Sequence, residues 1–278
     1  MSNEWRVAGR ADDLELSQLI LRMLVLALDS TTRTGSIALA RDGAPVDLLI
    51  GDASRTHAER LPADIRTLLA RSGTALGEVD LFAVASGPGS FTGLRIGIAT
   101  IQGLAFANGR RVAAVSSFDA LAAIALALPA RPGPMLVAVW IDAHRQEVFS
   151  RLYRADAHAG AGVTSGVDAL DGLESLEEAA VGDPGGTLDR WAPLVGGQVV
   201  RFVGDGAVRS RARIEDRLGG PCEVVEPPPL APSIAAIGTR LAERGLAVAP
   251  HLVRPLYVRR PDAELARERL LRDPRARS

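Results

Sequence analysis

The sequence predicts an α/β fold of two lobes, because it contains two similar strand pairs and because its strands alternate with helical segments. The segments LVLALDSTT and LVAVWIDAH are apolar strands that end in Asp29 and Asp142, and a second strand follows each of them. Elsewhere, short apolar strands alternate with helical patterns, which is typical of α/β proteins. Because aspartate commonly ends a strand, the spacing alone leaves open that the two segments are unrelated.

A duplication of this kind is typical of the architecture of actin, sugar kinases and Hsp70, in which paired aspartate turns face a nucleotide between the lobes. No glycine directly follows Asp29, and residues 142–145 contain none, so these backbones are less free to wrap a phosphate. The sequence therefore predicts a degenerate nucleotide cleft. Its candidate residues are Asp29, Ser30, Thr31, Asp142, Gly204, Asp205 and Gly206.

The predicted domain organisation follows from changes of texture along the chain. The first 22 residues differ in sequence pattern from the regular apolar strand that begins at Met23, so we interpret them as an N-terminal extension. The Gly/Ala-rich segment 155–200 gives no clear pattern. The predicted bounds are residues 1–22 for the extension, 23–130 for the first lobe, 131–231 for the second lobe, 232–246 for a helix that returns to the first lobe and 247–278 for a C-terminal tail.

The first lobe has clear local signals. Residues 41–43 are the predicted turn of a hairpin. In THAERLPADIRTLLARSG, Thr56 and Glu59 form a capping-box pattern, and Leu61 and Ile65 mark one face of a helix at about 57–71. Further along the chain, one of the serines at 116–117 is predicted to cap an apolar helix, and Ser233 is predicted to cap the return helix.

The stretch SGPGSFTGLRIGIATIQGLAF follows a buried strand and has the strand, glycine turn and helix order of many phosphate-binding loops. Either Ser90 or Thr92 can cap this helix, so the glycines can simply form the turn, and their presence does not require a bound ligand. Each glycine inside the helix costs about 1 kcal/mol relative to alanine, and such residues are usually kept where another backbone comes close. The sequence therefore favours packing over phosphate binding at Gly93, Gly97 and Gly103.

Composition excludes several kinds of chemistry. The chain has no lysine, so it has neither a Walker-type phosphate loop nor a Schiff-base lysine. The single cysteine, Cys222, cannot form an internal disulfide, and the four histidines share no metal-binding spacing. The net charge of −1 gives no global attraction to nucleic acid, and the apolar runs are too short to span a bilayer. We expect a cytoplasmic protein with no cofactor and no membrane association.

Six segments in order resemble the bacterial TsaB family, also called YeaZ, over about residues 23–262. They are LALDSTTRTGSIAL, THAERLPADIRTLL, SGPGSFTGLRIGIATIQGLAF, IDAHRQEVF, VGDGA and RPLYVRRPDAE, of which GPGSFTGLRIG is the most specific. The resemblance implies a two-lobed actin-like (ASKHA, ribonuclease H-like) fold with mixed sheets flanked by helices. It also implies a non-catalytic role in the synthesis of threonylcarbamoyladenosine, a modified nucleoside that lies beside the anticodon of tRNA.

The resemblance further implies a heterodimer with the catalytic TsaD-type paralogue, in a larger complex with a TsaE-type ATPase and, through the complex, tRNA. The paralogue carries a His-x-x-x-His metal pair where this chain reads SSFDAL (116–121), so the metal is not carried over. A homodimer through the same helices is plausible when the partner is missing. The implied partner interface consists of His57, Leu61, Ile65, Phe91, Gly93, Leu94, Arg95, Gly97, Ile98 and Gln102, and we expect a charge at Ile98 to break association without unfolding the chain.

Two rival functions remain open at this point. The chain can be an ATP-dependent enzyme of the actin and sugar-kinase group, with Asp29 and Asp142 on Mg–ATP. The second rival, a peptidase, is disfavoured, because the sequence suggests no nucleophile–base pair and no metal-binding spacing.

Arg95 lies in an otherwise apolar helix. Its side chain can extend to solvent or anchor a carboxylate or phosphate of a partner.

Overall fold

A computed structural model describes residues 23–129, 135–155, 168–218 and 220–259. The predictions for residues 1–22, and for the tail beyond residue 259, lie outside these residues. The strands are β1 (Leu24–Asp29), β2 (Ser36–Arg41), β3 (Ala44–Ile50), β4 (Leu81–Gly87), β5 (Arg111–Ser116), β6 (Met135–Asp142), β7 (Val148–Ala155), β8 (Leu173–Ser175), β9 (Ala180–Gly182), β10 (Val199–Val203) and β11 (Cys222–Val225). The helices are α1 (His57–Arg71), α2 (Phe91–Ala107), α3 (Ser117–Ala127), α4 (Pro184–Val195), α5 (Asp205–Arg209), α6 (Arg211–Leu218) and α7 (Ala231–Glu243).

The described strands form two mixed sheets with the same internal plan. The first has the order β3-β2-β1-β4-β5, and the second has the order β11-β10-β6-β7-β8, with β9 also paired to β7. In each sheet the strand that ends in the cleft aspartate pairs antiparallel with the next strand and parallel with a later one. The predicted fold class is thereby confirmed, whereas the domain bounds stay predictions.

Helices α3 and α7 lie between the two sheets and form one core with both of them. This core joins Val25 and Ala83 of the first sheet to Val137 and Val139 of the second. Helices α1 and α2 cover the opposite face of the first sheet, where Leu61 and Ile98 pack on Leu26 and neighbouring residues. The aromatic cluster of Trp140, Trp191 and Phe202 fills the outer face of the second sheet.

Most predicted caps are correct, and one is wrong. Thr56 and Glu59 form a capping box on α1, and Ser116 caps α3. The return helix begins at Ala231, two residues before the predicted cap. The Ser233 hydroxyl donates to the Ala120 carbonyl at 3.0 Å, and the first-turn amide of Ala231 donates instead to Ser36 Oγ at 3.1 Å. Within the described ranges, none of the helices has the length and apolar character needed to cross a membrane.

Candidate functional site

The glycines of α2 bring this helix against the loop that follows β1. Ser90 caps the helix by accepting from the Gly93 amide at 3.3 Å. A Cβ at Gly93 would lie 2.1 Å from the Ser30 carbonyl oxygen, and one at Gly97 would lie 2.0 Å from Ser30 Oγ. The packing interpretation therefore fits this geometry, but the neighbouring backbone belongs to the same chain rather than to a partner.

In the first half of the predicted cleft, the Asp29 carboxylate hydrogen-bonds within its own loop. Asp29 is buried, and its Oδ1 accepts from the amide of Thr31 at 2.8 Å and from Thr31 Oγ1 at 2.6 Å. Burial raises the pKa of Asp29 above its ordinary value, against the lowering effect of the Thr31 hydrogen bonds. The Asp29 side chain therefore stabilises its own turn.

The second half of the cleft is also closed by internal contacts. Asp205 Oδ1 accepts from the amides of Asp142 at 2.9 Å and Gly206 at 2.8 Å, and burial raises the pKa of Asp205. The Asp142 carboxylate pairs with Arg209. A Cβ at Gly204 would lie 2.1 Å from the Trp140 carbonyl oxygen, so the glycine turn serves the close packing of α5 on β6.

A cavity of about 490 Å³ lies between these two turns. It brings together Asp29, Thr31 and Asp205 of the predicted cleft, together with Arg209 and Glu226, whereas its lining does not include Ser30, Asp142, Gly204 or Gly206. Among the described residues, no cluster of three or more His, Cys, Asp and Glu side chains is placed to hold a metal ion. The cleft has room for a ligand, but the carboxylates of Asp29 and Asp205 already accept hydrogen bonds from the chain itself.

The β6–β7 turn is left-handed although it contains no glycine. His144, Arg145 and Gln146 have φ values of 58°, 52° and 62°. Two hydrogen bonds close the turn. The His144 amide donates to Asp142 Oδ1 at 3.0 Å, and the Glu147 amide donates to the His144 carbonyl at 2.9 Å. No local sequence signal indicated this geometry, which is strained for side chains other than glycine.

Most of the predicted interface residues lie in the chain's own core. Ile98 is only 5% exposed, which argues against the expectation that a charge at this position leaves the chain folded. Of the others, Phe91 and Arg95 are exposed, and Gln102 donates to the Pro250 carbonyl at 2.8 Å. The buried members are His57, Leu61, Ile65, Gly93, Leu94, Gly97 and Ile98.

The His57 side chain holds the loop between β1 and β2 in place. Its Nε2 lies 2.9 Å from the Thr32 carbonyl oxygen, to which it donates, and its Nδ1 accepts from Arg60 at 2.9 Å. Arg60 is buried as well and pairs with Asp64 at 2.7 Å. Burial, with a further contribution from the Arg60 charge, lowers the pKa of His57, so the ring is neutral.

Between α1 and α2 the structure leaves an apolar groove of about 670 Å³. We call this surface the α1–α2 groove. Beyond it, near the end of α2, Phe106 is 81% exposed. The sequence prediction missed the exposed groove residues, although they recur at helical spacing beside the buried ones. They are Pro62, Arg66, Ala70, Ala99 and Gly103.

Arg95 lies at the start of α2 and stacks on an aromatic pair. Its guanidinium carbon is 3.9 Å from the Phe91 ring centroid, and its Nε donates to the Tyr257 hydroxyl at 3.1 Å. The rings of Phe91 and Tyr257 are 5.3 Å apart. Arg95 is exposed, which is compatible with extension to solvent and with anchoring a partner group, and its hydrogen bond to Tyr257 fixes its direction.

Comparisons with known proteins give matches to TsaB (YeaZ) proteins and to the related TsaD family. The model of the TsaD family, described as tRNA N6-adenosine threonylcarbamoyltransferase, matches residues 51–208. The tRNA threonylcarbamoyladenosine biosynthesis protein TsaB of Haemophilus influenzae is 40% identical over 134 residues, which are 48% of this chain and 55% of that protein. The chain thus spans about half the length of the curated relatives it matches.

Two solved structures from Pseudomonas aeruginosa resemble the chain over most of its length. One, an uncharacterized protein described as similar to peptidase YeaZ, has a TM-score of 0.65 and 30% identity over 85% of this chain and 100% of that one. The other, YeaZ, has a TM-score of 0.63 and 29% identity over 84% of this chain and 99% of that one.

Proposed function

The chain belongs to the TsaB/YeaZ family, and from that premise we propose that it takes part in threonylcarbamoyladenosine biosynthesis as a non-catalytic subunit. Its relatives of that name are tRNA threonylcarbamoyladenosine biosynthesis proteins. In this role it binds and activates a TsaD-type catalytic paralogue, which transfers threonylcarbamoyl to N6 of the adenosine beside the anticodon. A TsaE-type ATPase and the tRNA join through the complex.

The observation that carries a binding role is the α1–α2 groove. Its lining is predominantly apolar, and exposed apolar patches of this kind are typical of protein-binding sites. The small side chains Ala99 and Gly103 leave the backbone of α2 accessible, since a Cβ at Gly103 would meet nothing within 4 Å. A helix of the paralogue can therefore approach closely here, and a second copy of this chain can do so when the paralogue is missing.

A non-catalytic role is supported by the cleft. Asp29, Asp142 and Asp205 would bind the metal and water in an ATP-dependent enzyme of this architecture, but each accepts hydrogen bonds or an ion pair from the chain itself. At the segment where the resemblance implies the paralogue's histidine pair, residues 116–121 of this chain read SSFDAL and contain no histidine. We therefore place the chemistry on the paralogue.

An omission assay tests this proposal. The purified paralogue, the ATPase, tRNA, ATP and threonylcarbamoyl-adenylate are combined with and without this chain, and the modified nucleoside is measured by mass spectrometry. We expect product only when the chain is present and none from the chain alone. Product that is unaffected by its omission, or turnover by the lone chain, would contradict the proposal.

A further inference from the structure

Residues 250–259, which we call the strap, run from the first lobe to the second. Near its start, the carbonyls of Pro250 and Val253 accept from Gln102 Nε2 of α2 at 2.8 and 3.4 Å. The Val253 side chain is buried against the same core as α2. The Leu256 amide then donates to the carbonyl of Ser86 at 2.7 Å, at the end of β4. The strap is therefore docked along the first lobe by backbone as well as side-chain contacts.

Tyr257 joins the strap to the exposed beginning of α2. Its hydroxyl accepts from Arg95 Nε at 3.1 Å, and its ring lies 5.3 Å from that of Phe91. Both aromatic side chains are more than one-third exposed. A molecule that binds at this end of α2 will therefore meet strap residues together with helix residues.

Two residues later, Arg259 reaches the second lobe and contacts both ends of the left-handed turn. One of its nitrogens donates to the Ala143 carbonyl at 2.8 Å, just before the turn, and the other pairs with the carboxylate of Glu147, just after it. Its guanidinium carbon also lies 5.6 Å from the centroid of Phe149. The strained residues 144–146 thus lie between two points that a single arginine holds.

Strained backbone persists where surrounding contacts determine it. Inside the turn, hydrogen bonds from the amides of His144 and Glu147 contribute to this, and the Arg259 contacts come from a distant part of the chain. The turn and the strap also share a cavity of about 610 Å³, which is lined by Phe91 and Arg95 from the first lobe and by Asp142 and His144 from the second. The conformation of the turn therefore sets the shape of one wall of this cavity.

We propose that the strap couples the exposed start of α2 to the conformation of the β6–β7 turn. Tyr257 fixes the strap on Arg95 and Phe91, and Arg259 then fixes the turn. Displacement of Tyr257 loosens the Arg259 contacts and lets residues 144–146 relax, which changes the cavity between the lobes. This coupling is a property of the isolated chain and does not depend on the proposed function.

Amide hydrogen exchange on the full chain, followed by mass spectrometry, tests the coupling. Arg259→Gln should raise exchange at residues 143–147 by about tenfold, because it removes charge-assisted hydrogen bonds from both ends of the turn. Tyr257→Ala should raise exchange at the same amides, although Tyr257 does not belong to the turn. Arg254→Gln is the matched control, because Arg254 donates to the strap's own carbonyls of His251 and Val253.

Exchange in β1 and β4 should stay unchanged in all three variants, which shows that the core remains folded. Tyr257→Phe keeps the ring and removes the hydroxyl, so it should give a smaller increase than Tyr257→Ala. Turn exchange in Tyr257→Ala equal to that of the unaltered chain would overturn the coupling. An unchanged turn in Arg259→Gln, or an equal increase in Arg254→Gln, would overturn it as well.

Discussion

Gly97 of α2 lies so close to Ser30 that a Cβ at position 97 would meet Ser30 Oγ at 2.0 Å. Ser30 is fully buried, and it follows Asp29 directly. The helix that opens with the glycine-rich turn therefore packs on the loop that the sequence predicts as one half of a degenerate nucleotide cleft. This contact fixes α2, and with it the position of the α1–α2 groove.

Gly97→Ala should destabilise the chain, whereas Gly103→Ala should not. Overpacking against Ser30 costs about 1–3 kcal/mol, which exceeds the helix propensity that alanine gains. Gly103 faces open space, so alanine there should stabilise the helix by about 0.5–1 kcal/mol. Urea unfolding of both variants measures the difference. Equal stabilities would contradict the close approach of α2 to Ser30.

Ile98→Ala should lower the free energy of unfolding by about 2–5 kcal/mol, because Ile98 is buried against the first sheet. The neighbouring Ala99 is exposed, so Ala99→Arg should leave the free energy of unfolding within about 0.5 kcal/mol of the unaltered value. Chemical denaturation of the two variants checks the assignment. A stable Ile98→Ala together with an unstable Ala99→Arg would mean that the faces of α2 have been exchanged.

The contribution of His57 to the stability of the chain should fall as the pH decreases below about 6.5, the ordinary pKa of histidine. The folded state lowers the pKa of His57, so the unfolded chain binds a proton first, and acid favours unfolding until the pH drops below the folded-state pKa. Above about 6.5 this contribution is fully present. Denaturation of the chain and of His57→Gln between pH 5 and 7.5 isolates the effect. A His57→Gln variant that keeps the same pH dependence would assign it to other groups.

Asp29→Asn should support product formation in the omission assay at nearly the unaltered level. An asparagine oxygen can accept from the amide and the hydroxyl of Thr31 as the carboxylate does, and burial already disfavours the charge of Asp29. In the rival ATP-dependent enzyme, the same change would remove a metal-binding carboxylate. Tight ATP binding by the isolated chain that is lost in Asp29→Asn would support that rival.

Local signals made the helix starts predictable, and long-range contacts account for what the sequence analysis missed. The capping box of Thr56 with Glu59 and the cap at Ser90 depend on residues three positions apart. The left-handed turn at 144–146 depends on Arg259, and the start of α7 depends on Ser36. Arg259 and Ser36 are distant in sequence from the elements they contact, so no local sequence pattern indicates these contacts.

The same limit applies to the predicted interface side chains. The periodicity of Leu61 and Ile65 correctly indicates a face of α1 that is buried, but it does not indicate what buries that face. In the structure it packs on the chain's own sheet, and the surface that is left for a partner lies one helical step away at Pro62 and Arg66.

A titration of this chain with the purified TsaD-type paralogue, followed by analytical ultracentrifugation, tests whether the α1–α2 groove binds the paralogue. Ala99→Arg and Gly103→Arg introduce a bulky charge into the α1–α2 groove, and Ala212→Arg makes the matched change on exposed helix α6. We predict that the unaltered chain and Ala212→Arg form a heterodimer, whereas the groove variants bind at least about tenfold more weakly while remaining folded. Heterodimer formation by the groove variants at unaltered affinity would contradict a role of this groove in partner binding.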